Sequence, residues 1–347
     1  MFVYCMNSLK IKQKMKTKLG VTIGDSNGIG IEIILKTFKD NRMLDFCTPI
    51  IFGSNEILSQ HKKILQIHNI NFNIVRDLNN LKHNKINLLE VLKNKSSVNI
   101  GEKNIDGADN AINSIDFAID AYKKNKIDAL VTAPINKSSI QKNRSDFIGH
   151  TEYLKNNFNG NSLMIMVSEV MKIACLTGHT SLSNVKKYIS KQSIIENLLI
   201  LNNSLKKDFG KVKPKIAVLG LNPHAGESGM LGKEEIEIIT PAINDIKEKG
   251  LLVFGPYSAD SFFTTNNLSA FDGILAMYHD QGLIPFKTLT FDSGVNFTAG
   301  LDIIRTSPVH GTAFEIAGKG LANENSFRQA VFLACEIYKQ RKLFIEN

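Results

Sequence analysis

The sequence predicts an α/β protein built on a largely parallel sheet. Three observations carry this. Short apolar runs of strand length (19–23, 129–132, 273–277) alternate along the chain with longer runs of helical period. The first run enters a glycine loop, Gly24-Asp25-Ser26-Asn27-Gly28-Ile29-Gly30, and then a helical pattern over 29–38, the opening of an α/β fold. Two adjacent runs, 163–167 and 172–176, are joined by a turn at Glu169 and predict antiparallel pairing in the middle.

The remaining elements follow in order. A strand is expected over 49–52 and a helix over 56–66. Residues 77–100 are rich in Asn and Lys with weak period, which predicts variable surface structure. A helix over 108–122 places Ala111, Ile115, Ala118, Ile119 and Tyr122 on one face. The strand over 129–132 ends at Pro134, which forces a turn, and Lys137 opens the next helix. A lysine at a helix start opposes the helix dipole unless it faces an anion, so Lys137 is a candidate phosphate ligand. Another helix begins at 149–152. Further helices are expected over 193–205, 234–246 and 327–342, with strands over 215–220 and 251–254.

The chain has 347 residues, enough for one large domain or two lobes. Its formal net charge is +9, but the lysines are spread without a dense basic block or interleaved aromatics, which argues against a nucleic-acid face. No apolar window has the length of a membrane span. The first 18 residues carry apolar groups before lysines, the reverse of a signal peptide, and read as an extension in which Met6 or Met15 could be the start. Cys5, Cys47, Cys175 and Cys335 are scattered, as expected for free thiols in a reducing cytoplasm.

The chemistry concentrates in residues 276–310. His279 and Asp280 follow an apolar strand, and Lys287, Asn296 and Arg305 come after them among apolar residues and glycines, so strand ends and loops are expected to present them to a small anion. His279 shares its context with His179 and His224: each lies just past the end of an apolar strand. Ligands bind at that edge of α/β folds. Three imidazoles leave an open position on a divalent ion, with Asp260 and Asp280 available to orient them.

Ordered blocks along the chain carry a resemblance: GDSNGIGIEI, VTAPINK, GHTEYL, TGHTSL, GLNPHAGESG, GPYSADSFF, AMYHDQGLIPFK, GVNFTAGLDIIRTS and HGTAFEIAGKGLA. From about Lys18 onward the chain resembles the 4-hydroxythreonine-4-phosphate dehydrogenase (PdxA) family. The resemblance implies a two-lobed α/β/α fold like that of isopropylmalate dehydrogenase, with the active site in the cleft between lobes. The lobes would be 19–135 plus 300–347, on the cofactor side, and 136–299, on the metal, substrate and dimer side. It implies a homodimer whose metal (Zn, Mg or Co) is held by His179 and His224 of one subunit and His279 of the other. It implies substrate contacts from His150, Thr151, Lys287, Asn296 and Arg305. The 310–320 segment resembles the adenine-side loop of the wider superfamily, so His310, Gly311, Thr312, Ala313, Glu315 and Gly318 are expected to bind NAD, with NADP as the alternative. The family's first loop usually reads GDPAGIG; here Ser26 and Asn27 stand in place of Pro and Ala. After NPHAGE this chain has Ser228-Gly229-Met230 where many members have Gly-His, and Asp292 stands where many have a small or basic residue.

The implied reaction is oxidation of 4-phosphooxy-L-threonine, in pyridoxal 5'-phosphate biosynthesis. Lys287 and Asp280 compete as the base, and Asp260 joins them as a catalytic candidate. The alternatives are a dehydrogenase of a four-carbon phosphorylated sugar acid, and a metal-dependent aldolase or hydrolase without a nicotinamide cofactor.

Overall fold

The computed structural model describes residues 16–92, 98–145, 147–290 and 292–346. The apolar runs become strands, twelve among the described residues. They are β1 (Thr17–Thr22), β2 (Cys47–Gly53), β3 (Phe72–Val75), β4 (Ile86–Glu90), β5 (Ala129–Thr132), β6 (Gly160–Val167), β7 (Lys172–Thr177), β8 (Lys215–Leu219), β9 (Leu252–Tyr257), β10 (Gly273–Tyr278), β11 (Val295–Leu301) and β12 (Arg305–Pro308). All lie in one sheet, in the order β3-β4-β2-β1-β5-β12-β11-β6-β7-β10-β8-β9. The expected mixed α/β architecture is the one observed.

Pairing is parallel except at β12–β11, β11–β6 and β6–β7. Three reversals in succession make the two outer sets of strands run in opposite senses. Each set is parallel and covered by helices on both faces, which is why its strands read as continuous apolar runs rather than alternating ones. Leu19, Val21, Leu130, Val131, Val218 and Leu275 are all fully buried. The helix Ile105–Lys123 starts where Asn104 accepts the Gly107 N–H (2.8 Å). The closing helix Asn325–Glu346 packs across β12, β5 and β11. It is fixed by Arg341, which donates to Asp208 (2.6 Å) and to the Asp302 carbonyl (2.8 Å).

Four expectations need correction. β1 starts at Thr17, inside the segment read as an extension, whose first fifteen residues lie outside the described ones. The stretch read as variable surface contains β4. Asn87, fully buried, interrupts its apolar pattern and is satisfied by donating to the Pro49 and Lys82 carbonyls and accepting from Lys82 and Asn73. Residues His279–Thr290 form a helix, so Lys287 is delivered by a helix face and not by a strand end or loop. The helix expected over 234–246 opens as a π-turn, Glu235–Ile239, before the α-helix Thr240–Glu248.

The first glycine loop is held rigidly from beneath. The Asp25 N–H donates to the Pro134 carbonyl (2.9 Å), and the buried His61 ring pairs through Nε2 with the Ser26 carbonyl (2.8 Å). Asp25 is fully buried; Oδ1 accepts the Asn27 N–H (3.0 Å), while Oδ2 has no partner. Burial pushes its pKa up from 3.8 to about 6. The folded pKa lies above the unfolded one. The stability that this group contributes is therefore present below pH 3.8 and lost as pH rises through about 6. Asp25→Asn is expected to be more stable than the parent by about 1–2 kcal/mol at pH 7. Urea denaturation should show the gain shrinking by about half at pH 5.

Candidate active site

A cavity of about 350 Å³ opens over the seam where the strands reverse. The end of β5 and the following turn contribute Thr132 to Ile135 and Lys137. β6 gives Met164 and Met166, β11 gives Asn296, and β12 with the following turn gives Arg305 and Ser307 to Gly311. The helix His150–Lys155 adds His150, Thr151 and Glu152. His179 comes from the turn after β7. His279, Leu283 and Lys287 are spaced by four on the helix His279–Thr290, which puts all three on the face that looks into the cavity.

The deepest charge is Arg305. It is buried in the strand, where Nε and Nη2 donate to Thr132 Oγ1 (3.0 and 2.7 Å) and Nη1 to Thr298 Oγ1 (3.3 Å). Among the described residues no carboxylate forms an ion pair with it; burial pulls its pKa down to about 9, against a weaker opposing pull from Glu152. His150 is pushed well below its ordinary value by burial and by Arg305 and Lys137, so it is neutral, and its buried Nε2 has no partner. Asn296 Oδ1 and His310 Nε2 are also buried without partners. Unmet polar atoms around an uncompensated guanidinium mark a place for a polar anionic ligand.

The histidines divide. His179 and His279 both line the cavity, with ring centroids 5.8 Å apart. His279 Nδ1 pairs with Asp280 Oδ1 (2.7 Å), which leaves Nε2 free. Burial and then Lys137 lower the His179 pKa, favouring the neutral ring. His224 does not line the cavity; it sits in a turn after β8, where its charge acts on Asp260. The two that share the cavity within one chain are His179 and His279, whereas the resemblance implies His179 and His224 from one subunit. Among the described residues no group of three His, Cys, Asp or Glu forms a metal site in the single chain.

Comparison with known proteins follows the same lines. The family model described as "Pyridoxal phosphate biosynthetic protein PdxA" matches residues 45–334. A 4-hydroxythreonine-4-phosphate dehydrogenase of Bacteroides thetaiotaomicron is 46% identical over 95% of this chain and 91% of that protein. The chain belongs to the PdxA family. A crystal structure of the Klebsiella pneumoniae 4-hydroxythreonine-4-phosphate dehydrogenase superposes with a TM-score of 0.83 at 33% identity, over 93% of this chain and 98% of that one. A protein of Oceanobacillus iheyensis, provisionally named D-threonate 4-phosphate dehydrogenase, is 36% identical over 93% of this chain and 98% of that protein. Membership of PdxA makes the chain an oxidoreductase, as its sequence implied.

The groups a PdxA dehydrogenase calls for can be tested against these residues. Two imidazoles on one tetrahedral ion, at metal–nitrogen distances of about 2.0–2.1 Å, place their centroids about 5 Å apart. The His179–His279 pair fits that span, and the Asp280 contact orients its ring as a ligand's outer partner does. At the loop expected to hold the cofactor, His310 Nδ1 faces the Gly311 carbonyl (3.2 Å), which leaves Nε2 as a bare buried acceptor at the cavity wall. Gly311 and Gly320 face open space. Both groups therefore fit.

The cavity contains His150, Thr151, Lys137, Lys287, Asn296, Arg305, His179, His279, His310 and Gly311 of the expected set. Thr312, Ala313, Glu315 and Gly318 continue away from it along the loop. Asp260 and Asp280 do not line it; the first bonds Ser258 and the second bonds His279. Sequence reasoning missed Glu152, the carboxylate of the cavity wall, although it directly follows His150 and Thr151 in one block. It also missed Thr132 and Thr298, whose hydroxyls look like ordinary strand residues.

Removing an uncompensated buried charge relieves the fold while emptying the site of its main attraction. Arg305→Met is expected to be as stable as the parent or more stable, by up to about 2 kcal/mol. Its affinity for phosphorylated substrate should fall about 100-fold. Thermal melts with and without inorganic phosphate check both: phosphate should raise the melting temperature of the parent and not of the variant.

Proposed function

We propose that the chain oxidises 4-phosphooxy-L-threonine with NAD⁺ at a divalent-metal site, in pyridoxal 5'-phosphate biosynthesis in the cytoplasm. The product is 2-amino-3-oxo-4-phosphooxybutanoate, a β-keto acid that loses CO₂ to give 3-amino-2-oxopropyl phosphate. The observation that carries this is the buried Arg305 guanidinium, held by hydroxyls without a carboxylate, beside Lys137, His150 and Lys287. A cavity so charged suits a small molecule with two anionic ends, and the substrate has a phosphate and a carboxylate.

When bound, a divalent ion (Zn, Mg or Co) would acidify the alcohol and NAD⁺ (or NADP⁺) would accept the hydride. The chain's own residues do the rest. Arg305 and Lys137 bind anionic oxygens from below and from the side. His150, Thr151 and Asn296 orient the substrate by hydrogen bonds. Lys287 faces the cavity, about two turns along the same helical face from His279, and is the better placed base. Asp280 is largely exposed and engaged with His279, so it orients that ring. Asp260 accepts from Ser258, and His224 acts on it electrostatically.

His224 outside the chain's own cavity supports a homodimer in which two copies together supply the three imidazoles. Met230, Leu231 and Ile236, exposed apolar residues beside that turn, suit a face covered by another copy. The sheet order supports the two lobes, 19–135 with 300–347 and 136–299: β1–β5 and β12 lie on one side of the seam and β6–β11 on the other. No described helix is long and apolar enough to cross a membrane, and Cys47, Cys175 and Cys335 are unpaired. The Oceanobacillus relative favours a second reading, a four-carbon sugar acid 4-phosphate as substrate.

Absorbance at the NADH band should rise with 4-phosphooxy-L-threonine and NAD⁺ and should stop on chelation. Faster turnover on threonate or erythronate 4-phosphate would favour the second reading, and unchanged turnover after chelation would remove the metal. Lys287→Met is expected to lose turnover about 1000-fold while still binding substrate, in the range of lost acid–base catalysis. Loss of binding alone would make Lys287 an anion contact.

A further inference from the structure

We propose that Asn27 is a positioning residue for the 312–318 loop and so sets the affinity for the nicotinamide cofactor; this rests on the assignment of that loop to cofactor binding.

Asn27 is almost fully buried, and every polar group it owns is engaged. Its N–H donates to Asp25 Oδ1 (3.0 Å), and its carbonyl accepts the Gly101 N–H (2.9 Å). Its side-chain Oδ1 accepts the Asn99 N–H (2.9 Å), and Nδ2 donates to Asn104 Oδ1 (2.7 Å). Only an amide can do the last two things at once, accepting at one end and donating at the other. An alanine at this position, the residue usual in the PdxA pattern, could do neither.

The segment that Asn27 clamps is one wall of a cradle. Residues 100–103 touch the 312–318 loop at several points. A Cβ on Gly101 would lie 3.2 Å from the Phe314 carbonyl, and one on Gly318 would lie 2.7 Å from Ile100 Cγ2. Lys103 Nζ sits over the Phe314 ring, 5.9 Å from its centroid. The first glycine loop forms the other wall. The Ile29 N–H donates to the Thr312 carbonyl (3.0 Å), and Gly28 is so close that a Cβ would lie 2.8 Å from the same oxygen. Asn27 belongs to one wall and bonds the other.

The loop between the walls is not relaxed. Ala313 has φ 40° and ψ 55°, a left-handed conformation that a residue with a Cβ adopts only when its surroundings impose it. A loop held in a strained shape needs its cradle, and loosening one wall lets it leave the binding-competent form. The affinity for cofactor then falls in proportion to the fraction still competent. Asn104 keeps its separate bond to the Gly107 N–H, so the start of the helix Ile105–Lys123 does not depend on Asn27. The expected effect is therefore local.

The test compares the full-length parent with Asn27→Ala, and with Asn27→Ser, whose side chain is too short to reach both Asn99 and Asn104 and which serves if the alanine variant does not fold. NADH fluorescence titration is expected to show about a tenfold weaker dissociation constant in the variants. kcat at saturating NAD⁺ should stay within about twofold, and the KM for the phosphorylated substrate should be unchanged. Hydrogen exchange without cofactor is expected to speed up at the amides of residues 314–319. Equal NADH affinity and equal exchange in parent and variant would overturn the proposal, as would a loss of thermal stability without either change. If the parent itself bound no NADH, the cofactor assignment of the loop would fail, while the exchange comparison would still decide whether Asn27 holds it.

Discussion

Everything in the site depends on a guanidinium buried without a counter-charge. Taking a cation out of water costs several kcal/mol unless it is paired. Arg305 recovers part of this from three hydrogen bonds to Thr132 and Thr298, which are neutral acceptors. The remainder is an unmet demand for an anion, and its neighbours do not meet it. Lys137 and Lys287 add positive charge to the same cavity. His150 responds by staying neutral. Glu152, the carboxylate of the wall, acts on Arg305 from beyond ion-pairing distance. The cavity is preorganised against its own stability in favour of a ligand that brings negative charge.

The sheet explains how such groups meet. In a uniformly parallel sheet, ligand-binding residues gather at the carboxyl ends of the strands. Here the sheet reverses three times between β12 and β7, so its outer sets run in opposite senses. The cavity lies across the reversal and draws from both sets and from the faces of β6 and β11. That placement brings Arg305, at the start of its strand, together with Lys137, which follows the end of β5. A helix spacing of four then adds His279, Leu283 and Lys287 as one row.

Much of this was legible because continuous apolar runs mark parallel strands and ordered motif blocks mark a family. The site residues were legible as a set: ten of the expected residues do line one cavity. What was hidden depended on contacts that the local pattern does not show. The buried strand β4 could not be seen because Asn87 breaks its apolar run, and its bonds to Asn73, Lys82 and Pro49 make that Asn tolerable. Lys287 looked like a loop residue because it lies among apolar residues and glycines after a strand; the helix His279–Thr290 carries it instead. Thr132 and Thr298 gave no signal, since a strand threonine reads the same whether or not it holds a guanidinium.

The turn that carries His224 is the part of the structure on which the proposed homodimer rests. From His224 to Ser228 five successive residues have positive φ, between 43° and 82°, and four of them have a Cβ. Each such residue costs roughly 1–2 kcal/mol. The turn is nevertheless built firmly. Glu235, buried, accepts the Leu221 and Asn222 N–H groups (2.7 and 2.8 Å) and the Asn222 side-chain amide (2.9 Å). Gly226 lets that carboxylate approach to where a Cβ would lie 2.7 Å from it. Strain on this scale persists where the geometry it enforces is used. His224 acts on Asp260 and does not line the cavity that holds His179 and His279. Here the geometry enforced is the position of His224 outside the cavity, and the proposed homodimer rests on it.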